Sequence, residues 1–296
     1  MTVSLEKRRA RAGWFFVVPA LALIAVFFAI PVAAGLLLSF TDFDIYAIAS
    51  PETARFVGWS NYTATLADAT FWTAVRNTLY FVLVGGPLSV LVSLTAALLL
   101  DHRLARFRTV FRTAFFIPVV TTLVAVAVVW RYLYHPRYGP VNWLLETIGL
   151  AGVDWLGDPR WAMPAIVVVA VWKNFGYNML IFVAGLQSIP SQLYESAAVD
   201  GAGAWRQFVH ITLPGLAPVF LFVSVTTMIG HFQLFAEPYV MTAGGPLGST
   251  RSVVLLMYEE GFRWWRMGSA ATIAVFLLLM TLAGTLVQLR VQRSRA

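Results

Sequence analysis

The sequence predicts an all-α polytopic membrane protein with six transmembrane helices and both termini on the cytoplasmic side. Three observations carry this. Only 12% of the 296 residues are charged and 59% are hydrophobic, with a mean hydropathy of +0.75, whereas a soluble domain carries about 25% charged residues. Mostly apolar runs of about 20 residues, enough to cross a bilayer, recur along the chain. Lys and Arg are unevenly shared between the segments that join those runs.

Residues 1–13 form a basic lead-in with Lys7, Arg8, Arg9 and Arg11. The first apolar run, Trp14–Phe40, is too long for a signal-peptide core and has no small-residue cleavage site, so it is expected to remain as a span. The others are expected at about Thr73–Leu100, Arg112–Leu133, Trp161–Leu186, Gly215–Phe235 and Met267–Leu289. Pro19, Pro31, Pro87, Pro118, Pro164 and Pro218 fall inside these runs, as neighbouring helices permit in a membrane. Small pairs such as Gly85–Gly86 and Ala96–Ala97 would let helices approach closely. With the N-terminus inside, the inner segments collect the N-terminal cluster, Arg103, Arg106, Arg108, Arg112, Arg206, Arg290, Arg293 and Arg295, and most acids fall outside. Residues 14–289 thus form one six-span domain with a cytoplasmic segment at 190–214 and a cytoplasmic C-terminus at 290–296. Outside lie a loop over Asp42–Phe71 and the segment Gly139–Pro159, where Val141, Leu144, Leu145 and Ile148 recur at helical spacing beside Trp143. That spacing predicts a short interfacial helix.

Several function classes are excluded. There is no cysteine, hence no disulfide, thiolate nucleophile or Cys-ligated metal. His102, His135, His210 and His231 show no ligand spacing. The net charge of +7 sits at the ends of apolar runs rather than in an aromatic-interleaved patch, so it marks membrane orientation and not nucleic acid. No nucleotide-binding P-loop, H-E-x-x-H or G-x-S-x-G occurs. No span carries a central Asp or Glu of the kind an ion-coupled carrier uses. The chain is therefore read as non-catalytic; a stand-alone secondary carrier for a polar solute is the alternative, and any energy input would come from another polypeptide.

The segment Tyr194–Pro214 is a polar, glycine-broken insert between two apolar runs. Pro190 should end the preceding span, and Ser191 should cap a helix from about Gln192 to Val199. Ala197 and Ala198 leave one face small, Asp200–Gly201 should break the helix, and Ala204–Thr212 should form a second helix stopped by Leu213–Pro214. Such an element can be gripped from the cytoplasm.

In its order of Glu195, Ala198, Asp200–Gly201 and Ile211-x-Leu213-Pro214, this insert resembles the EAA motif of ABC-transporter permeases, with Ser196 in place of the first alanine. Phe56-Val57-Gly58-x-x-Asn61-Tyr62, Phe71-Trp72-x-Ala74-x-x-Asn77-Thr78, Gly185-Leu186-Gln187-Ser188-Ile189-Pro190 and Tyr239-x-Met241-Thr242-x-Gly244-Gly245-Pro246-x-x-x-Thr250 resemble the first permease subunit of carbohydrate importers of the maltose and glycerol-phosphate type, in a compact six-span version. The resemblance implies a type I ABC importer permease fold in the inner membrane. It implies a second, homologous permease, two copies of a cytoplasmic ATPase that binds ATP and Mg (this chain needing no cofactor), and an extracytoplasmic solute-binding protein. It makes Tyr194, Glu195, Ala197, Ala198, Asp200 and Gly201 the ATPase-coupling residues.

A path for a hydroxyl-rich solute needs hydrogen-bonding groups and aromatic faces. The fourth span offers Trp172, Asn174, Tyr177 and Asn178, and the fifth offers Thr227, His231 and Gln233, with Thr226 beside them. By its position relative to Gln187, Tyr177 is similar to a sugar-contacting residue of maltose-type permeases, and Thr227 and His231 fall where that branch places polar contacts. Lys173 is expected to snorkel outward, the alternative being attraction of an anionic solute.

Overall fold

The computed structural model describes residues 2–49, 54–101 and 107–293. Arg103, Arg106, Arg295 and His102, named above, lie outside the described residues. Those described form helices: α1 Thr2–Ile24, α2 Ile30–Leu38, α3 Tyr46–Ala49, α4 Ser60–Ala67, α5 Ala69–Tyr80, α6 Gly86–Asp101, α7 Arg108–Val120, α8 Leu123–Leu133, α9 Pro140–Thr147, α10 Ala162–Ser188, α11 Ser191–Val199, α12 Ala204–Gln207, α13 Leu213–Gly215, α14 Ala217–Phe232, α15 Ala236–Met241, α16 Val253–Tyr258 and α17 Met267–Arg293. The only extended pairings among the described residues are isolated bridges, Thr41 with Phe56 and Asp44 with Arg266. Four segments are long and apolar enough to cross a membrane unbroken: Gly13–Leu38, Ala69–Asp101, Ala162–Gln187 and Met267–Val291.

The remaining two expected spans are not single straight helices. The third breaks between α7 and α8, which diverge by 100°. Thr121 and Thr122 are both in extended conformation, and the Thr121 hydroxyl donates to the Pro118 carbonyl at 2.6 Å. The fifth begins earlier than expected. Leu213–Pro214 does not stop the preceding helix, which runs from Ala204 to Gly215 and then bends by 65° into α14. The reason is a wide turn. Pro31, Pro87 and Pro214 each stand two residues after a five-residue π-turn, at Ala25–Ala29, Phe81–Gly85 and Phe208–Thr212. The carbonyl four residues before each proline belongs to that wide turn. The ring therefore avoids the clash it would meet in a regular α-helix.

The chain divides into two compact units. The smaller comprises Met1–Ala67 and Met257–Phe276. Here the Asn61 amide donates to the carbonyls of Ser39 at 2.9 Å and Thr41 at 2.8 Å, and Phe40 packs among Phe56, Trp59 and Tyr62. Gly58 has a φ of +58°, which favours glycine. A Cβ on Gly268 would collide with the Thr41 carbonyl oxygen. The motif around Phe56–Tyr62 is thus the fastening of this unit.

In the larger unit, Asp68–Leu256 with Leu277–Ala296, α10 packs most extensively on α6 and then on α7. Gly176 permits the α7 crossing, because a Cβ there would collide with the Phe115 carbonyl oxygen. Gly85 fits the close-approach expectation, with His231 3.2 Å from where its Cβ would be, whereas Gly86 faces open space. Asn77 on α5 donates to the carbonyls of Gly248 and Arg251, and the Thr78 hydroxyl accepts from the Val253 amide. Thr250 donates to the Gly245 carbonyl and bonds the Thr242 hydroxyl, closing the Gly-Gly-Pro loop.

The Gly139–Pro159 segment forms helix α9, as its spacing predicts. Trp143, Leu144 and Ile148 are exposed on it. The turn after it is organised by Asn142, which is 3% exposed. Its amide donates to the carbonyls of Pro136 and Val153, and its oxygen accepts from the Val153 amide and the Trp155 indole. Asn142→Ala strands all of these partners. It is expected to destabilise the protein by about 2–3 kcal/mol, read as a lower midpoint of thermal unfolding in detergent with native helical content retained below the transition.

Candidate functional site: a cavity between two apolar cores

Helix α10 is built in three parts. Its N-terminal half, including Met163, Ile166 and Val169, belongs to one buried apolar cluster with Val126, Tyr134 and Met241. Its C-terminal half, including Met179, Phe182 and Leu186, belongs to another with Leu94, Ala97, Leu216 and Val223. Between them lies the polar stretch Trp172–Asn178. Asn174, Tyr177 and Asn178 stand at spacings of three and four residues and so share one face. That face lines a cavity of about 400 Å³ together with Thr226, Thr227, His231 and Gln233 from α14 and its C-terminus.

Six of the seven residues expected along a solute path therefore meet at one cavity; Trp172 does not line it. It lies roughly 200° around the helix from Asn174, is partly exposed, and packs edge-on against Trp130 at 5.4 Å. The two cavity helices are joined by a buried hydrogen bond from the Asn178 amide to the Thr227 hydroxyl, 2.9 Å. His231 Nδ1 lies 2.8 Å from the Thr227 carbonyl, to which only a protonated nitrogen can donate. The other edge of its ring faces Gly85, and Phe81 packs on it with centroids 4.8 Å apart.

Lys173 does not snorkel outward. It is 9% exposed, and its ammonium donates to the carbonyls of Pro118 at 3.3 Å and Val119 at 3.4 Å, at the broken end of α7. The break leaves those carbonyls without a helical partner, and a cation at a helix C-terminus is favoured by the helix dipole. Glu237, in the first turn of α15, lines the cavity and is 6% exposed. Among the described residues it is the one acid lining the cavity, and no motif named above contains it. The signal in the sequence is its place two residues before the Tyr239–Thr250 motif, just after the polar end of the fifth span.

The segment 190–214 is helix–break–helix. α11 spans Ser191–Val199, but Ser191 is its first residue rather than its cap. Pro190 takes the cap position, with extended backbone and no side-chain cap bond. Proline fixes φ near the value this entry needs, so no capping hydroxyl is required. Gly201 breaks the helix with a φ of +75°, and the Ala202 amide closes the end on the Ala197 carbonyl. Glu195, Ala198 and Asp200 are exposed, while Tyr194 and Ala197 are half-buried. Val199 is 89% exposed. α11 is anchored on both sides. Ile189 sits against Gly215, where a Cβ would come within 2.9 Å, and the Tyr194 hydroxyl lies 3.0 Å from that of Thr212.

The chain matches the model of the binding-protein-dependent transport system inner membrane component over residues 10–296. It belongs to that family. The permease is 36% identical to the lactose transport system permease protein LacF of Rhizobium radiobacter, an alignment covering 99% of this chain and 97% of the relative. It is also 36% identical to the trehalose/maltose transport system permease protein MalF of Thermococcus litoralis, over 100% and 98% of the two chains. Its fold matches that of a chain of a bacterial ABC transporter involved in the import of the acidic polysaccharide alginate, with a TM-score of 0.81, 23% identity and coverage of 99% of both chains. The fold is that of type I ABC importer permeases.

The site geometry predicts that Lys173→Met, which keeps the stem and removes the donors, will destabilise the permease by about 1–3 kcal/mol through the unpaired carbonyls. The measurement is thermal unfolding in detergent, and Lys173→Arg should recover part of the loss.

Proposed function

We propose that this chain is the membrane-spanning permease subunit of an ATP-driven importer of sugars, forming half of a translocation path with a second, homologous permease. Two copies of a cytoplasmic ATPase, which bind ATP and Mg, would drive it, and an extracytoplasmic solute-binding protein would deliver the solute. With each bent helix pair counted as one crossing, six spans leave both termini in the cytoplasm. The names of the lactose and trehalose/maltose relatives support a carbohydrate solute.

One observation carries the mechanism: the exposed helix α11 is linked directly to both helices that line the cavity. Upstream, two extended residues, Ile189 and Pro190, join it to α10, which carries Asn174, Tyr177 and Asn178. Downstream, Tyr194 holds it to Thr212, in the run that bends into α14 with Thr227 and His231. A push on α11 is therefore delivered to both walls of the cavity. Rigid-body motion of packed helices would turn the cavity from one face of the membrane to the other. Tyr194, Glu195, Ala197, Ala198, Asp200 and Gly201 would dock the ATPase, with exposed Leu193 and Val199 supplying apolar contact. In the cavity, Asn174, Tyr177, Asn178, Thr227, His231 and Gln233 would hydrogen-bond or stack on the solute.

The test is purification of the tagged permease with its native partners. An ATPase and a second permease should co-purify with the wild type, and uptake into vesicles should require ATP. Glu195→Lys acts on an exposed side chain, and Gly201→Asp on a position with open space around it. Both should leave membrane insertion intact while lowering ATP-dependent uptake at least tenfold. Unchanged uptake in both variants would sink the docking assignment.

A further inference from the structure

We infer that this permease has a second sugar-binding station, a cavity lined by Arg131, Tyr132, His135, Tyr138 and Asp154 near the end of α10 remote from α11, which receives a sugar ring before the central cavity does. This rests on the sugar-importer reading and adds an entry site to it.

Two cavities stand in series along the same helices. The second also has a volume of about 400 Å³, within the range of small-molecule sites. Helix α8 gives Leu123 to the central cavity and Val128, Arg131 and Tyr132 to the second. Helix α15 gives Glu237 to the first and Met241, about one turn on, to the second. Tyr134 lines the second cavity, and its hydroxyl donates to the Ala165 carbonyl on α10 at 3.3 Å. Ala165 lies about 14 Å along that helix from Asn174, and α11 follows at the opposite end of α10. The second cavity is therefore on the side of the central one away from α11, with α8 and α15 as shared walls. A solute approaching from that side meets it first.

Its lining suits a pyranose ring. Tyr132 and Tyr138 are exposed and offer aromatic faces on which the apolar side of a sugar stacks. The turn before α9 fixes Tyr138. The Gly139 amide closes on the His135 carbonyl at 2.9 Å, a Cβ on Gly139 would collide with that carbonyl, and the Tyr138 ring stacks on His135. Arg131 and Asp154 line the same cavity without pairing with each other. Each is held by backbone: the Arg131 guanidinium donates to the Val240 carbonyl at 3.3 Å, and the Asp154 carboxylate accepts from the Gly157 amide at 2.9 Å. His135 Nδ1 accepts from the Arg137 amide, so its neutral ring carries the proton on Nε2 and can donate. A hydroxyl both donates and accepts, so one sugar can bond the carboxylate and the guanidinium together, through charge-assisted bonds about twice as strong as neutral ones. The two charges cancel, which favours a neutral solute. A zwitterion such as glycine betaine matches the charges but brings no hydrogen-bond donor for the carboxylate.

Because the chain has no cysteine, one introduced thiol reports on one cavity. The assembled complex in nanodiscs carries Val128→Cys in the second cavity or Thr226→Cys in the central one. Labelling of this chain by a charged methanethiosulfonate reagent is timed with and without lactose, maltose, trehalose or glycine betaine. At least one sugar is expected to slow labelling at Val128→Cys at least fivefold, with betaine without effect. Adding Tyr138→Ala should reduce that protection below twofold while leaving protection at Thr226→Cys within twofold of its former value. Tyr138→Phe, which keeps the stacking face, should retain protection at both positions and show that the turn folds. The inference is overturned if Val128→Cys is not labelled at all, if no sugar protects it, or if betaine protects it as well as the sugars do. It is equally overturned if Tyr138→Ala leaves the protection at Val128→Cys unchanged or removes it at both positions. Co-purification of the ATPase and ATP-dependent uptake, measured on the wild type, report on the importer reading separately; the second station can fail while both hold.

Discussion

The ammonium of Lys173 against the end of α7 is the interaction on which the cavity depends. A chain that turns through 100° between Val120 and Leu123 exposes carbonyls that the bilayer interior cannot satisfy, each costing several kcal/mol if left alone. Lys173 and the Thr121 hydroxyl satisfy them from within the protein. With the break stabilised, α8 leaves the direction of α7, and Val119 and Leu123 become cavity wall instead of helix interior. Gly176 completes the arrangement, since only a missing side chain lets α10 meet the α7 backbone closely enough for Lys173 to reach.

The middle of α10 shows how a membrane helix carries function without losing stability. Its two halves are committed to separate apolar clusters, which hold the helix in register from both ends. The stretch between them turns Lys173 and Gly176 to α7 and Asn174, Tyr177 and Asn178 to the cavity. The same helix leads through Ile189 and Pro190 into α11, and α11 returns through Thr212 to α14. Helix α11 and the cavity helices are consequently joined in one continuous run of elements.

Much of this was legible in sequence. Apolar runs located the four unbroken spans to within a few residues and marked the two bent helix pairs, because burial in lipid leaves a compositional mark that needs no tertiary contact. The Asp200–Gly201 break and helix α9 were legible for the same local reasons. The family-like strings around Phe56, Asn77 and Thr242 marked real fastenings, although their hydrogen bonds join residues far apart in the chain. Local rules misled where a longer-range accommodation intervened. Ser191 looked like a cap, yet Pro190 fixes the entry. Pro214 looked like a stop, yet a π-turn carries the helix past it. Trp172 looked like part of the path by composition, yet helical phase turns it toward Trp130.

The sequence by itself determined the membrane class, the order of the apolar runs and the helix–break–helix form of residues 190–214, since hydropathy and turn chemistry are properties of short stretches. Only the tertiary structure decided which polar groups share a cavity and what the buried charges do. Lys173 and Glu237 stand 64 positions apart in sequence, and nothing local distinguishes a lysine that snorkels from one that caps a broken helix. That choice is made by the carbonyls of Pro118 and Val119, which become available only once α7 ends beside α10.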